Sequence, residues 1–231
     1  MNKQIAVSIL TFFLIAFILT FAFSQLPLLM LYSVNITEIL CGAGPLISGL
    51  LCYKIFKTPT TYSLDGKQPI KSWLLVIVSV ITFMLTNTRS SFSSNLVFAI
   101  TQLLYCFGEE FGWRHYLQSA TKKSGRLLQA LIIGCIWFFW HFSWLQDPAK
   151  AMTGSGINAP VFAVILSAIV ALSLISFLLG FLMNRTTAVL LPTILHFAVK
   201  TNLPTLIITF TLVIIAHLTW KKYYLKEKVL V

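Results

Sequence analysis

The chain has 231 residues, 58% of them hydrophobic and 10% charged, with a mean hydropathy of +0.87. A soluble domain carries charge on about a quarter of its residues, so this composition excludes an ordinary soluble protein and indicates an integral membrane protein. The net charge of +11 does not point to nucleic acid, because Lys and Arg fall in short clusters between apolar runs, the distribution by which membrane proteins set their topology.

A helix crosses the hydrocarbon layer with about 20 apolar residues. In chain order this predicts spans at 5–31, 36–53, 73–86, 96–113, 127–145, 161–183, 188–199 and 203–220. The first opens like a signal peptide, but its apolar run exceeds a signal core of about 7 to 15 residues and no small-x-small site follows cleanly, so it reads as a retained span. The third and seventh are short, and Pro192 and Pro204 fence the seventh, so seven or nine spans stay open.

Charge placement favours eight. Lys3, then Lys54, Lys57, Lys67 and Lys71, then Lys122, Lys123 and Arg126, then Arg185, then Lys221, Lys222, Lys226 and Lys228 all fall on one side, and only Arg89, Lys150 and Lys200 fall on the other. By the positive-inside rule both termini are cytoplasmic. The expected architecture is an all-α, polytopic bundle of about eight transmembrane helices forming one domain over 1–231. Its longest cytoplasmic loop is 57–71 and its external counterpart is 146–160, each with turn residues. Cys41, Cys52, Cys106 and Cys135 lie in apolar runs with no disulfide or zinc spacing and are read as packing residues. No presequence or repeat is visible, and the layout suits a bacterial plasma membrane.

The chain has only six acidic residues, and two of them are adjacent within a hydrophobic stretch, "CFGEEFGWRH" at 106–115. Ionisable groups inside membrane spans are costly and mark functional paths facing a bundle interior or a cavity. Glu110 and Arg114 are spaced i,i+4 with the acid first, the favourable order for a helical ion pair, while Glu109 points about a quarter-turn away. The arginine can therefore neutralise one glutamate and leave the other to act as a general base. A cluster serving only to pin helices together would need one glutamate, not two.

"WFFWHFSW" (137–144) places His141 in the next span, and "LLPTILHFAVKTN" (190–202) places His196 in the seventh. Glu109, His141 and His196 each lie roughly 13 to 20 Å from the cytoplasmic helix ends by the 1.5 Å rise per residue, so they share a layer. Two histidines and a glutamate at one depth either bind a divalent metal such as zinc with a position open for water, or activate water without metal; the residues leave both readings open. No H-E-x-x-H is present, and His115 and His217, near the membrane edges, are read as non-catalytic.

The order E-E-x-x-x-R in "EEFGWR", then aromatic-x-x-x-H in "WFFWH", then the histidine of "LPTILH" in a penultimate span resembles the CAAX protease and bacteriocin-processing (CPBP, or Abi) family of intramembrane peptidases over roughly 70–205. The resemblance implies that Glu109 and His141 activate the attacking water, that Glu110 and Arg114 organise the site, and that His196 stabilises the oxyanion. Two positions depart from the family pattern. Trp137 stands where Phe is usual, and Lys200 stands where Asn or Asp usually follows the last histidine by four residues. Lys200 shares a helix face with His196 and either donates to an oxyanion or snorkels to the external surface; Asn202 could substitute if the helix unwinds before Pro204.

The expected function is an intramembrane endopeptidase acting on a membrane-associated peptide or protein within the lipid bilayer, with bacteriocin processing or self-immunity as the role the resemblance implies for bacterial relatives. The competing readings are a non-catalytic membrane immunity or binding protein and a proton-coupled transporter. No nucleic-acid partner is expected.

Overall fold

The computed structural model describes residues 3–88, 90–145 and 160–220. Eight principal helices follow in order: α1 (Lys3–Ser24), α2 (Glu38–Phe56), α3 (Pro69–Thr86), α4 (Phe92–Glu110), α5 (Arg126–Trp140), α6 (Val161–Thr186), α7 (Leu190–Val199) and α8 (Leu203–Leu218). The fold is all-helical apart from one small ribbon, and five helices (α1, α2, α3, α5 with the short turn after it, and α6) are long and apolar enough to cross a membrane. The helices α7 and α8 are apolar but shorter. The helix α4 is long but polar along one side, where Asn95, Thr101, Gln102, Glu109 and Glu110 are buried against neighbouring helices instead of facing lipid. The external loop expected at 146–160 falls almost wholly outside the described residues, as do Arg89, Lys150 and the C-terminal lysines.

Two predicted boundaries need correction. The first span was expected to run to Leu31, but α1 stops at Ser24, and Met30–Leu31 pairs antiparallel with Val34–Asn35 in a tight ribbon. Tyr32 and Ser33 take positive φ at its turn, the geometry a two-residue hairpin loop needs to follow strand twist. Pro27, which has no amide hydrogen, lies in the stretch between helix and ribbon. The fifth span was expected to reach residue 145, but α5 ends at Trp140 and a 3₁₀ turn (His141–Ser143) follows, so His141 sits on the end of its helix.

Side-chain contacts sort the helix ends into two layers. Ser24 donates to the Ser143 carbonyl, and Thr86 bonds Asn202 and Thr205, joining the ribbon end of the bundle. Ser63 pairs with Ala188, Tyr62 bonds Asn184, and Lys71 donates to Thr219 at the opposite, lysine-rich end. Successive helices therefore alternate in direction.

The site is set by a backbone-to-backbone crossing of α2 and α4. A Cβ on Gly108 would lie 2.3 Å from the Gly42 carbonyl oxygen, and one on Gly42 would lie 2.4 Å from that of Tyr105. Small residues let helices meet this closely without a hydrophobic driving force between them. The main core then gathers Phe12 and Ala16 of α1, Trp113 and Tyr116 after α4, Ile133, Trp137, Phe138 and Trp140 of α5, and Leu172 of α6. All four cysteines are free, as expected.

Candidate active site

The helix α4 does not stop at its two glutamates but widens into a π-helical stretch, Phe111–Leu117, in which the Gln118 amide reaches back to the Trp113 carbonyl. Such π turns are rare and recur at functional sites. Here the stretch carries Trp113 and Arg114 one turn beyond Glu109 and Glu110, and all four side chains are buried, none more than 1% exposed.

Each glutamate has its own partner four residues on. Glu110 Oε2 accepts from Arg114 Nε at 3.0 Å, and Glu110 Oε1 lies 2.9 Å from His196 Nδ1. One carboxylate thus joins α4 to α7. Arg114 reaches further, donating from its second terminal nitrogen to Ser176 Oγ on α6 at 3.2 Å. Glu109 Oε2 accepts two indole N–H bonds, from Trp113 at 3.2 Å and from Trp137 at 2.8 Å. Its other oxygen, Oε1, is buried with no hydrogen-bond partner among the described residues. Buried polar atoms in native structures are nearly always paired, so a carboxylate held by one oxygen with the other unspent is the feature that needs a functional account.

His141 lies beside this pair, its Nδ1 2.7 Å from the Trp137 carbonyl oxygen. A carbonyl only accepts, so Nδ1 carries the proton and Nε2 of the neutral ring is the nitrogen left to accept one. The Trp137 indole is the hub: its ring centroid lies 6.2 Å from that of His141 in a stacked arrangement and 5.6 Å from that of His196, with the Arg114 guanidinium 5.3 Å away over its face. The shared layer expected for Glu109, His141 and His196 is present, joined through an aromatic residue.

Among the described residues, no group of three or more His, Cys, Asp or Glu side chains is disposed to hold a metal ion. Glu109, His141 and His196 each spend one polar atom within the protein: Glu109 Oε2 on the two indoles, His141 Nδ1 on the Trp137 carbonyl and His196 Nδ1 on Glu110.

Residues 91–202 match the family model for Rce1-like proteins, described as type II CAAX prenyl endopeptidase Rce1-like. Over that segment the chain is similar to the CPBP family, which includes the Rce1-like proteins. No curated protein and no solved structure matches the chain. The match begins just before α4 and ends at the start of α8, a narrower segment than the 70–205 expected, leaving out α3.

Against the CPBP pattern, the two departures fall at different places in the site. Trp137 stacks near His141, as its spacing predicts, and in addition supplies a hydrogen bond that a phenylalanine could not make. Lys200 does not turn away to the surface: its ammonium rests 3.6 Å from the centroid of the Tyr105 ring, within cation–π range, and that ring is 6.3 Å from His196. Asn202 spends its Oδ1 on the Thr205 amide and hydroxyl and on Thr86, capping α8, while its amide nitrogen is buried without a partner among the described residues.

His115 spends both ring nitrogens, on the Tyr53 hydroxyl and the Tyr62 carbonyl, and His217 packs on Phe181, both away from the glutamates. Trp113 was not singled out from the sequence. The signal was there, since Trp113 follows Glu109 by the same four residues that separate Arg114 from Glu110. Replacing Trp137 by phenylalanine keeps the ring and removes only its N–H. Activity is expected to fall by about tenfold with the melting temperature little changed, measured by turnover and thermal unfolding of the same preparation; unchanged turnover would mean the 2.8 Å bond does not position Glu109.

Proposed function

We propose that this protein is an intramembrane endopeptidase in which Glu109 and His141 activate water for attack on a peptide bond of a membrane-associated substrate. The reading is carried by Glu109, whose Oε2 is fixed by two indoles while Oε1 has no partner among the described residues, beside a histidine whose Nδ1–H bond leaves Nε2 as its acceptor nitrogen. Glu109 takes the proton of the attacking water and returns it to the leaving amine as the bond breaks. Glu110 is not available for that work, because Arg114 and His196 occupy both of its oxygens. Its part is to hold the His196 ring by its Nδ1–H, and in the imidazolium form, where both nitrogens donate, Nε2–H is directed at the carbonyl oxygen as negative charge develops there.

The protein belongs in this reading to a single helical domain of eight spans with both termini in the cytoplasm of a bacterial cell, and acts in bacteriocin maturation or self-immunity. The departure at Lys200 supports one competing reading, a membrane immunity protein that binds a peptide without cutting it.

The test is hydrolysis of a pool of membrane-associated peptides by the purified protein in liposomes, with His141→Ala and a chelator in parallel. Time-dependent new termini that disappear in His141→Ala are expected, and loss on chelation alone would bring a divalent metal into the mechanism. Absence of cleavage, with an immunity phenotype that survives His141→Ala, would replace the peptidase by the binding protein.

A further inference from the structure

Between the ribbon, α3, the start of α4 and the α7–α8 junction lies a polar recess of about 420 Å³, within the range of about 300–1,000 Å³ typical of small-molecule sites. Its described lining includes Asn87, Ser94, Asn95, Phe98, Lys200 and Asn202, and Lys200 is the one charged group among the described lining residues. We propose that Lys200 and this recess form a carboxylate subsite, so that the protein prefers peptides bearing a carboxylate beside the scissile bond. The proposal rests on the peptidase reading above and names the substrate class for it.

Hydrogen-bond accounting supports an anion. Asn87 and Asn95 satisfy each other, the Asn87 amide donating to Asn95 Oδ1 and the Asn95 amide to the Asn87 carbonyl. Asn202 spends its oxygen on Thr86 and Thr205, which turns its amide nitrogen the other way, and that nitrogen is buried without a partner among the described residues. No carboxylate among the described residues pairs with Lys200, whose ammonium rests on the electron-rich face of Tyr105. The unspent groups are therefore donors, an ammonium and an amide, and the ligand that answers donors alone is an acceptor-only carboxylate.

Position ties the recess to the chemistry. Lys200 follows His196 by one turn of α7, and the buried Tyr105 ring contacts both, its centroid 3.6 Å from the ammonium and 6.3 Å from the His196 ring. A carboxylate on Lys200 would lie roughly one helical pitch, about 5–6 Å, from the catalytic layer, the spacing of adjacent residues of an extended substrate. Without Lys200, two glutamates nearby would disfavour an anion at this place, whereas an asparagine would be indifferent to its charge.

The experiment compares peptides of one sequence carrying either Glu or Gln beside the cleavage point, each with a free or an amidated C-terminus, so that a side-chain and a terminal carboxylate are separated. Wild type is expected to favour one carboxylate-bearing peptide by about tenfold in kcat/KM. Lys200→Gln should bring that ratio to about one, Lys200→Arg should keep it, and Lys200→Glu should reverse it towards a Lys-containing peptide. A ratio unchanged in Lys200→Gln overturns the subsite. Should that variant fail to fold, the wild-type ratio decides, and equal turnover of all four peptides overturns the proposal. Binding of fluorescent versions to Glu109→Gln separates the two readings. Carboxylate preference that depends on Lys200, with no cleavage by wild type, would uphold the subsite and remove the peptidase; cleavage without preference would do the opposite.

Discussion

Replacing Glu109 by glutamine is expected to remove peptide hydrolysis, lowering kcat/KM by about 10³-fold while the protein still folds. The substitution is nearly isosteric. A glutamine carbonyl oxygen can still accept the indole N–H bonds that Glu109 Oε2 takes from Trp113 and Trp137, so the aromatic hub is preserved. What disappears is the capacity to take a proton from water, and removing a positioned general base costs about 10² to 10⁴ in rate. Alanine at the same position would also strand two indole N–H groups in a buried site, so its effect would mix catalysis with stability. Turnover and thermal unfolding of Glu109→Gln in one preparation separate the two. A variant that melts like wild type and cleaves within threefold of it would remove Glu109 from the mechanism.

The second large effect is on stability. Arg114 is fully buried, bonded to Glu110 on its own helix and to Ser176 across the bundle. Arg114→Leu would leave the Glu110 carboxylate in the core with only His196 beside it, and removing one partner of a buried ion pair costs about 3–5 kcal/mol. The double variant Glu110→Gln, Arg114→Leu should be more stable than Arg114→Leu alone, because no unpaired charge is then left behind. Thermal unfolding of the four proteins in one detergent completes the cycle. Equal stability of Arg114→Leu and wild type would mean that the pair organises nothing.

These expectations follow from different levels of the molecule. Membrane residence, the apolar helices and the identity of the acidic pair were legible in the chain, because lipid leaves no tolerance for unsatisfied backbone or stray charge and so prints long apolar runs with rare, placed ionisable groups. The Glu110–Arg114 pair was legible for the same local reason, since side chains four apart on a helix meet whatever surrounds them. The match over residues 91–202 spans those same residues.

Whatever depended on which helix lies beside which was decided only in three dimensions. Apolarity continues through Pro27 and Leu31, so composition alone carried the first span too far; the turn at Tyr32 and Ser33 is a backbone event with no hydropathy signal. Glu110 could have been assigned Arg114 from spacing, but His196 reaches it across 86 residues of chain, through the packing of α7 on α4. The same holds for Trp137, which read as a stacking ring and proved to be a donor to Glu109 from another helix. Lys200 had two open readings in the sequence, surface or site, and the Tyr105 ring from α4 settled its direction. Local spacing fixes contacts within one helix, whereas the different partners of Glu109 and Glu110 include side chains of α5 and α7 that only the packing of those helices on α4 brings within hydrogen-bond reach.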